Sequence, residues 1–171
     1  MFYDRASEVE RLVFAKWGTV TFAGVPFQLI DPRGGSIPNA ILLHSPNGAA
    51  SREMPKAARV PCNAPAKTIH LLSGVSGWGY PGGKKGSASL IVRLHYADGK
   101  TEDHPLLNGV HLADYIRVID VPESRLAFTL ERGQQVRYVA LHPKRSDKIE
   151  RLEFLKGEDK TAPLVVALTI E

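Results

Sequence analysis

Cysteine is nearly missing from this chain. Cys62 is the one cysteine in 171 residues, so an internal disulfide and the cysteine-rich zinc motifs are excluded. No stretch nears the roughly 18 consecutive apolar residues of a membrane-spanning helix. The opening residues, MFYDRASEVERLVFAKWGTV, carry too much charge for the apolar region of a signal peptide. The expectation is either a cytoplasmic protein or a piece of a longer exported chain. Neither sign of charge forms a block: 22 basic and 18 acidic residues are interspersed, for a formal net charge of +4. Basic residues scattered in this way do not make the one-sided stripe of a nucleic-acid-binding surface, so no nucleic acid is expected as a partner. CxxCH, GxSxG, HExxH, GxxxxGK[ST] and DxDxDG are all lacking. No covalent haem, serine-hydrolase elbow, helical zinc site, phosphate loop or calcium loop is therefore written in the chain. A structural calcium through Asp4, Asp31, Glu158 or Asp159 has no motif behind it.

What is present reads as β-structure. Fifteen glycines and twelve prolines recur every few residues, and only residues 8–16 offer apolar positions at helical spacing. Short alternating runs occupy 19–23, 27–30, 40–44, 67–72, 90–96, 126–130, 136–142, 149–155 and 164–170. Short strands separated by turn residues predict an all-β fold, an antiparallel β-sandwich or barrel. Val136, Tyr138 and Ala140 alternate with residues that are also partly apolar, which predicts a central strand. PLVVALTI near the C-terminus predicts a strand closing the core. With no repeat and no linker, residues 1–171 form a single expected domain, with 1–17 as a lead-in. Cys62, in VPCNAP, is expected as a small buried residue where a strand begins.

In LIVRLHYADGKTEDHPL, Asp98-Gly99 predicts a two-residue type I′ hairpin. That pairing sets His95 opposite Glu102 and Arg93 opposite His104. All four then share one face, with Leu90, Val92, Leu94 and Tyr96 on the other. Of six histidines, only His95 and His104 could converge, with Glu102, on a metal or a hydrolytic centre. A solvated polar patch is the plainer expectation.

The stretch 73–87, SGVSGWGYPGGKKGS, sets Trp78 and Tyr80 among six glycines and two lysines. A strand, not a helix, is expected after it, so Lys84 and Lys85 complete no anion site. Trp and Tyr offer a flat apolar ring with a polar end, suited to the C–H face of a sugar. Arg52, Asn108, His111 and Asp114 are of the right type to bond sugar hydroxyls. The other possibility for Trp78 is an inward plug over the sandwich end.

The series FAGVPFQLIDP, ILLHSPNG, VPCNAPAKTIHLLSGVSGWG, IVRLHYADGKTEDHPLLNGVHLADY and RYVALHPKRSDKIERLEFLKG resembles a domain near the C-terminus of large planctomycete membrane-bound dehydrogenase or haem-binding proteins. The likeness spans residues 17–171. That domain resembles the galactose-binding-like jelly roll of carbohydrate-binding modules. The resemblance implies a jelly-roll sandwich and a noncatalytic accessory module of an extracytoplasmic protein. It implies a glycan as partner, no catalytic residue and no cofactor, with redox chemistry left to other modules. The alternative is a structural domain that docks against sister modules and binds no sugar.

Overall fold

The computed structural model describes residues 12, 14–33, 36–48 and 50–171, so most of the 8–16 segment with helical spacing, and Asp4, lie outside the described residues. The strands are β1 (Gly18–Phe22), β2 (Val25–Leu29), β3 (Ile41–Leu42), β4 (Ala57–Ala64), β5 (Ile69–Ser76), β6 (Ala88–Tyr96), β7 (Thr101–Leu107), β8 (Arg125–Thr129), β9 (Gln135–Leu141), β10 (Ile149–Lys156) and β11 (Ala162–Ile170). Two antiparallel sheets, ordered β4-β10-β6-β7 and β3-β11-β5-β9-β8, pack as a sandwich. The β1–β2 hairpin makes a third, two-stranded sheet. An all-β sandwich is what the alternating runs predict, and β9 and β11 are interior strands as expected.

Alternation decides which side chains meet. In β6, Leu90, Val92, Leu94 and Tyr96 are buried and point between the sheets, where they meet Leu71, Leu152 and Phe154. Burying each such side chain contributes about 1.5–3 kcal/mol. β5 does not alternate, because both its faces are covered. Leu71 joins the core between the sheets, while Leu72 joins a second cluster with Phe14, Phe27 and Leu29 outside the five-stranded sheet. The β1–β2 hairpin supplies that cover, turning through Ala23 and Gly24, both at positive φ.

Two expectations are corrected. The β6–β7 hairpin has a three-residue loop, closed by Tyr96 N donating to Lys100 O and Gly99 N donating to Tyr96 O. Of Asp98 and Gly99, only Gly99 is at positive φ. The extra residue moves the register, so His95 pairs with Thr101, Arg93 with Asp103 and Val92 with His104. A one-residue slip exchanges faces, so Glu102 and His104 lie on the side of Leu94 and Val92, away from Arg93 and His95. Second, Cys62 lies inside β4 and is half-buried against the core. The prolines of VPCNAP suggest a break, but β4 is a sheet edge, where a proline is tolerated.

Candidate functional site

The loop 77–87 leaves β5 and returns into β6 at one end of the sandwich. Gly77 and Trp78 are both left-handed, at φ 71° and 69°. That conformation is free for glycine but costs a tryptophan about 1–2 kcal/mol. The turn it makes throws the Trp78 side chain outward: the residue is 73% exposed. Trp78 is therefore no plug over the core.

Buried polar side chains hold the loop in this form. Asp114 Oδ2 accepts from Gly79 N at 2.7 Å, and Asn108 Oδ1 accepts from Tyr80 N at 2.8 Å. Asn108 Nδ2 donates to Lys84 O at 3.0 Å, and Asn47 Nδ2 donates to Gly77 O at 3.0 Å. Behind Asp114, Gln135 Nε2 donates to its backbone carbonyl at 2.8 Å, and the buried Arg137 donates to Gln135 Oε1 at 3.1 Å. Any β-carbon on residue 79 would overlap Val75 Cγ2, which explains that glycine. Burial pushes the Asp114 carboxyl above the ordinary aspartate value, although the amides of Ile116 and Gly79 pull the other way.

Beside Trp78 opens a groove of about 460 Å³. Trp78, residues 82–84 and residues 158–161 of the β10–β11 connection line it, with Asn47, Ser87 and Asn108 completing it. Asp159 organises the β10–β11 connection. Its Oδ1 accepts from Lys156 Nζ (2.9 Å), Thr161 N (3.0 Å) and Thr161 Oγ1 (2.7 Å). Its Oδ2 accepts from Ser89 Oγ (2.5 Å) and Ser87 Oγ (3.1 Å). Burial raises this carboxyl, but the bonds from Ser89, Lys156 and Thr161 outweigh it and hold the group below the usual aspartate range. Lys156 Nζ also donates to Gly157 O at 3.0 Å and Asp159 O at 2.7 Å. The positive charge that would complement Asp159 thus comes from the chain's own ammonium. Asp31, another acidic residue weighed for calcium, accepts from Arg33 N at 2.8 Å.

Of the six residues expected to bind a ligand, Trp78 and Asn108 line the groove; Tyr80, Arg52, His111 and Asp114 do not. Tyr80 is half-buried with its ring over Gly109, and the Lys85 ammonium lies 5.9 Å from the ring centroid. Arg52 Nε donates to Pro46 O at 3.1 Å. His111 Nδ1 accepts from Leu107 N at 3.1 Å, and burial pushes the imidazole below its ordinary value. The polar groups of Asn108 and Asp114 are taken by the loop backbone. The other nine lining residues, among them Asn47, Lys84, Glu158, Asp159 and Lys160, are not among those expected to bind a ligand. The run GEDKT at 157–161 is a visible polar turn, but its place in the groove with Trp78 follows from the closure of β10 and β11 on the sandwich.

The trio His95, Glu102 and His104 does not converge. Glu102 accepts from Tyr96 Oη at 2.7 Å and from Lys144 N at 3.0 Å; His104 Nε2 sits 2.8 Å from Glu102 Oε1. His95 faces outward, with Nε2 against Glu153 Oε2 at 2.9 Å and Nδ1 accepting from Arg151 at 2.9 Å. Arg59 Nε completes the Glu153 pair at 2.7 Å, and Arg93 chelates Asp103 at 2.7 and 2.8 Å. These links lie on the two opposite faces of the sheet, and a small hydrolase built on the trio loses its geometry. Among the described residues, no group of three or more His, Cys, Asp or Glu is placed to hold a metal ion, and no helix is long and apolar enough to cross a membrane.

No family model matches this chain, and neither a curated protein nor a solved structure matches it.

Proposed function

We propose that the domain is a noncatalytic carbohydrate-binding module, and that it serves as an accessory unit of a longer extracytoplasmic protein. The observation that carries the reading is Trp78: a large aromatic side chain, 73% exposed, held in a strained conformation at the rim of a groove of about 460 Å³. Strain at an exposed residue is retained where the side chain does something other than stabilise the fold. A sugar ring laid on the indole buries its C–H face there, and groove side chains meet its hydroxyls. The resemblance to the C-terminal galactose-binding-like domains of planctomycete proteins supports the same reading. Within it, Trp78 is the platform, and Asn108, Asp114 and Tyr80 are the residues that hold the platform in place.

The test is a glycan array on the isolated chain, followed by calorimetry with the best hit. Trp78→Ala is expected to abolish measurable binding while leaving the melting temperature within about 2 °C of the parent, because an exposed side chain contributes little to folding. Full affinity in that variant ends the proposal.

The second reading, a docking domain for sister modules, draws on Ile116 and Val118. They are exposed at 54% and 45% on the loop after Asp114. On that reading a broad glycan array stays blank.

A further inference from the structure

We infer that the ligand is an acidic glycan, one whose sugars carry carboxylate or sulfate groups. This rests on the carbohydrate reading above and asks which hydrogen-bonding capacity the groove has left to offer. The neutral polar lining is largely consumed by the fold. Asn108 uses its amide oxygen on Tyr80 N and its amide nitrogen on Lys84 O. Ser87 Oγ and Thr161 Oγ1 donate to Asp159, and Asn47 Nδ2 donates to Gly77 O. The buried charges cancel: Asp159 accepts from five donors, one of them the Lys156 ammonium, whose side chain is only 7% exposed.

The charged lining residues are the ones left with free side-chain ends. Among the described residues, no hydrogen bond or ion pair engages the side-chain ends of Lys84, Lys160 or Glu158, all exposed at the groove. Two free ammonium groups face one free carboxylate, and the Lys85 ammonium lies in the same loop. Ammonium groups only donate. A neutral sugar hydroxyl satisfies them no better than water does, whereas an anionic oxygen forms a charge-assisted bond. A sugar stacked on Trp78 with its acid group turned to Lys84 or Lys160 uses both resources of the site at once.

The experiment compares four probes by calorimetry on the whole chain: a galacturonic acid hexamer, a heparin hexasaccharide, neutral cellohexaose and single-stranded hexathymidylate. At least one acidic glycan is expected to bind about tenfold or more tighter than cellohexaose, the worth of one charge-assisted contact. The galacturonate and heparin arms separate carboxylate from sulfate. The margin should shrink as salt rises from about 0.05 to about 0.5 M, because screening acts on exposed charges. The double variant Lys84→Gln/Lys160→Gln should lose that margin without a change in melting temperature, and should keep whatever affinity Trp78 gives for a neutral sugar.

Equal affinity for neutral and acidic hexamers, both lost in Trp78→Ala, overturns the acidic preference and leaves the carbohydrate reading standing. A margin that survives in the double variant also overturns it. Hexathymidylate binding as tightly as the best acidic glycan overturns it in favour of a general polyanion or nucleic-acid site. No binding by any glycan overturns both readings.

Discussion

Trp78 sits at φ 69° with most of its surface in water, so its backbone and its side chain both work against stability. Trp78→Gly relieves the left-handed strain of about 1–2 kcal/mol and gives back about 0.5–1 kcal/mol through the freer unfolded chain. The expected result is an unchanged or slightly higher unfolding midpoint in urea, together with loss of binding; a large drop in the midpoint would mean that the indole packs on the fold. At this scale the sequence was partly legible. A large aromatic among glycines signals a display position, and Trp78 is one. Asn108 lines the groove while its amide bonds backbone, and Asp114 and His111 lie off the groove with their polar atoms on backbone amides, because the groups that bond a sugar hydroxyl bond a backbone amide equally well. Only the partner distances separate the two uses. Asp159 is the opposite case, an acidic loop residue that proves to be a hub. Asp159→Asn should leave the Lys156 ammonium buried without its counter-charge and cost about 3–5 kcal/mol, read as a shift in the denaturation midpoint.

The elements around the loop explain why its shape does not depend on its own sequence alone. Asn108 and Gly109 follow β7, and residue 109 lies at φ 69° with a would-be β-carbon 2.7 Å from the Tyr80 ring. Gly109→Ala is therefore expected to push Tyr80 off its seat, and Asn108→Ala to strand the Tyr80 N–H and the Lys84 carbonyl at about 1–3 kcal/mol for each unsatisfied group. Both variants should weaken glycan binding with Trp78 intact, which calorimetry alongside thermal melts would detect; binding that survives a large loss of stability would separate the brace from the platform. Strand existence was readable from alternation in nine runs, yet the pairing of β6 with β7 was misread by one residue. Loop length, not the Asp98-Gly99 pair, sets that register. β4 escaped notice because Pro61 and the bend at Asn63, φ 59°, look like an interruption until the strand is known to lie at an edge.

Across the whole molecule, five carboxylates among the described residues lie below their ordinary values, with Asp98 and Asp103 lowered first by their bonds from Arg145 and Arg93. Glu153 is lowered first by its bond from Arg59, against the effect of burial. At Glu102 and Asp159 burial raises the group, but hydrogen bonds from Tyr96 and Lys144, and from Ser89 and Lys156, more than reverse it. A depressed carboxylate contributes stability that is present above its unfolded value, about 3.9–4.3, and is lost as pH falls through its folded value. Asp114 has the opposite sign: raised by burial, its contribution is present below about 3.9 and lost as pH rises through the folded value. With five carboxylates against one, and with the His111 imidazole held below its ordinary value by burial, the melting temperature should decline gently as pH falls below about 6.5, where unfolded histidine takes up its proton, and fall more steeply below about pH 4. Thermal melts across that range decide the matter, and a protein that gains stability on acidification from pH 5 to 2 contradicts the balance of signs.

The proline placement has a further consequence at this scale. Both edges of the four-stranded sheet carry one, Pro61 in β4 and Pro105 in β7. At the five-stranded sheet, β3 is only two residues long and β8 shifts register against β9. Each rim thus lacks a donor, is very short or is irregular, the features that keep open sheets from stacking end to end into fibrils. Where many copies of the domain crowd together, blunted rims of this kind let them remain a suspension of separate particles.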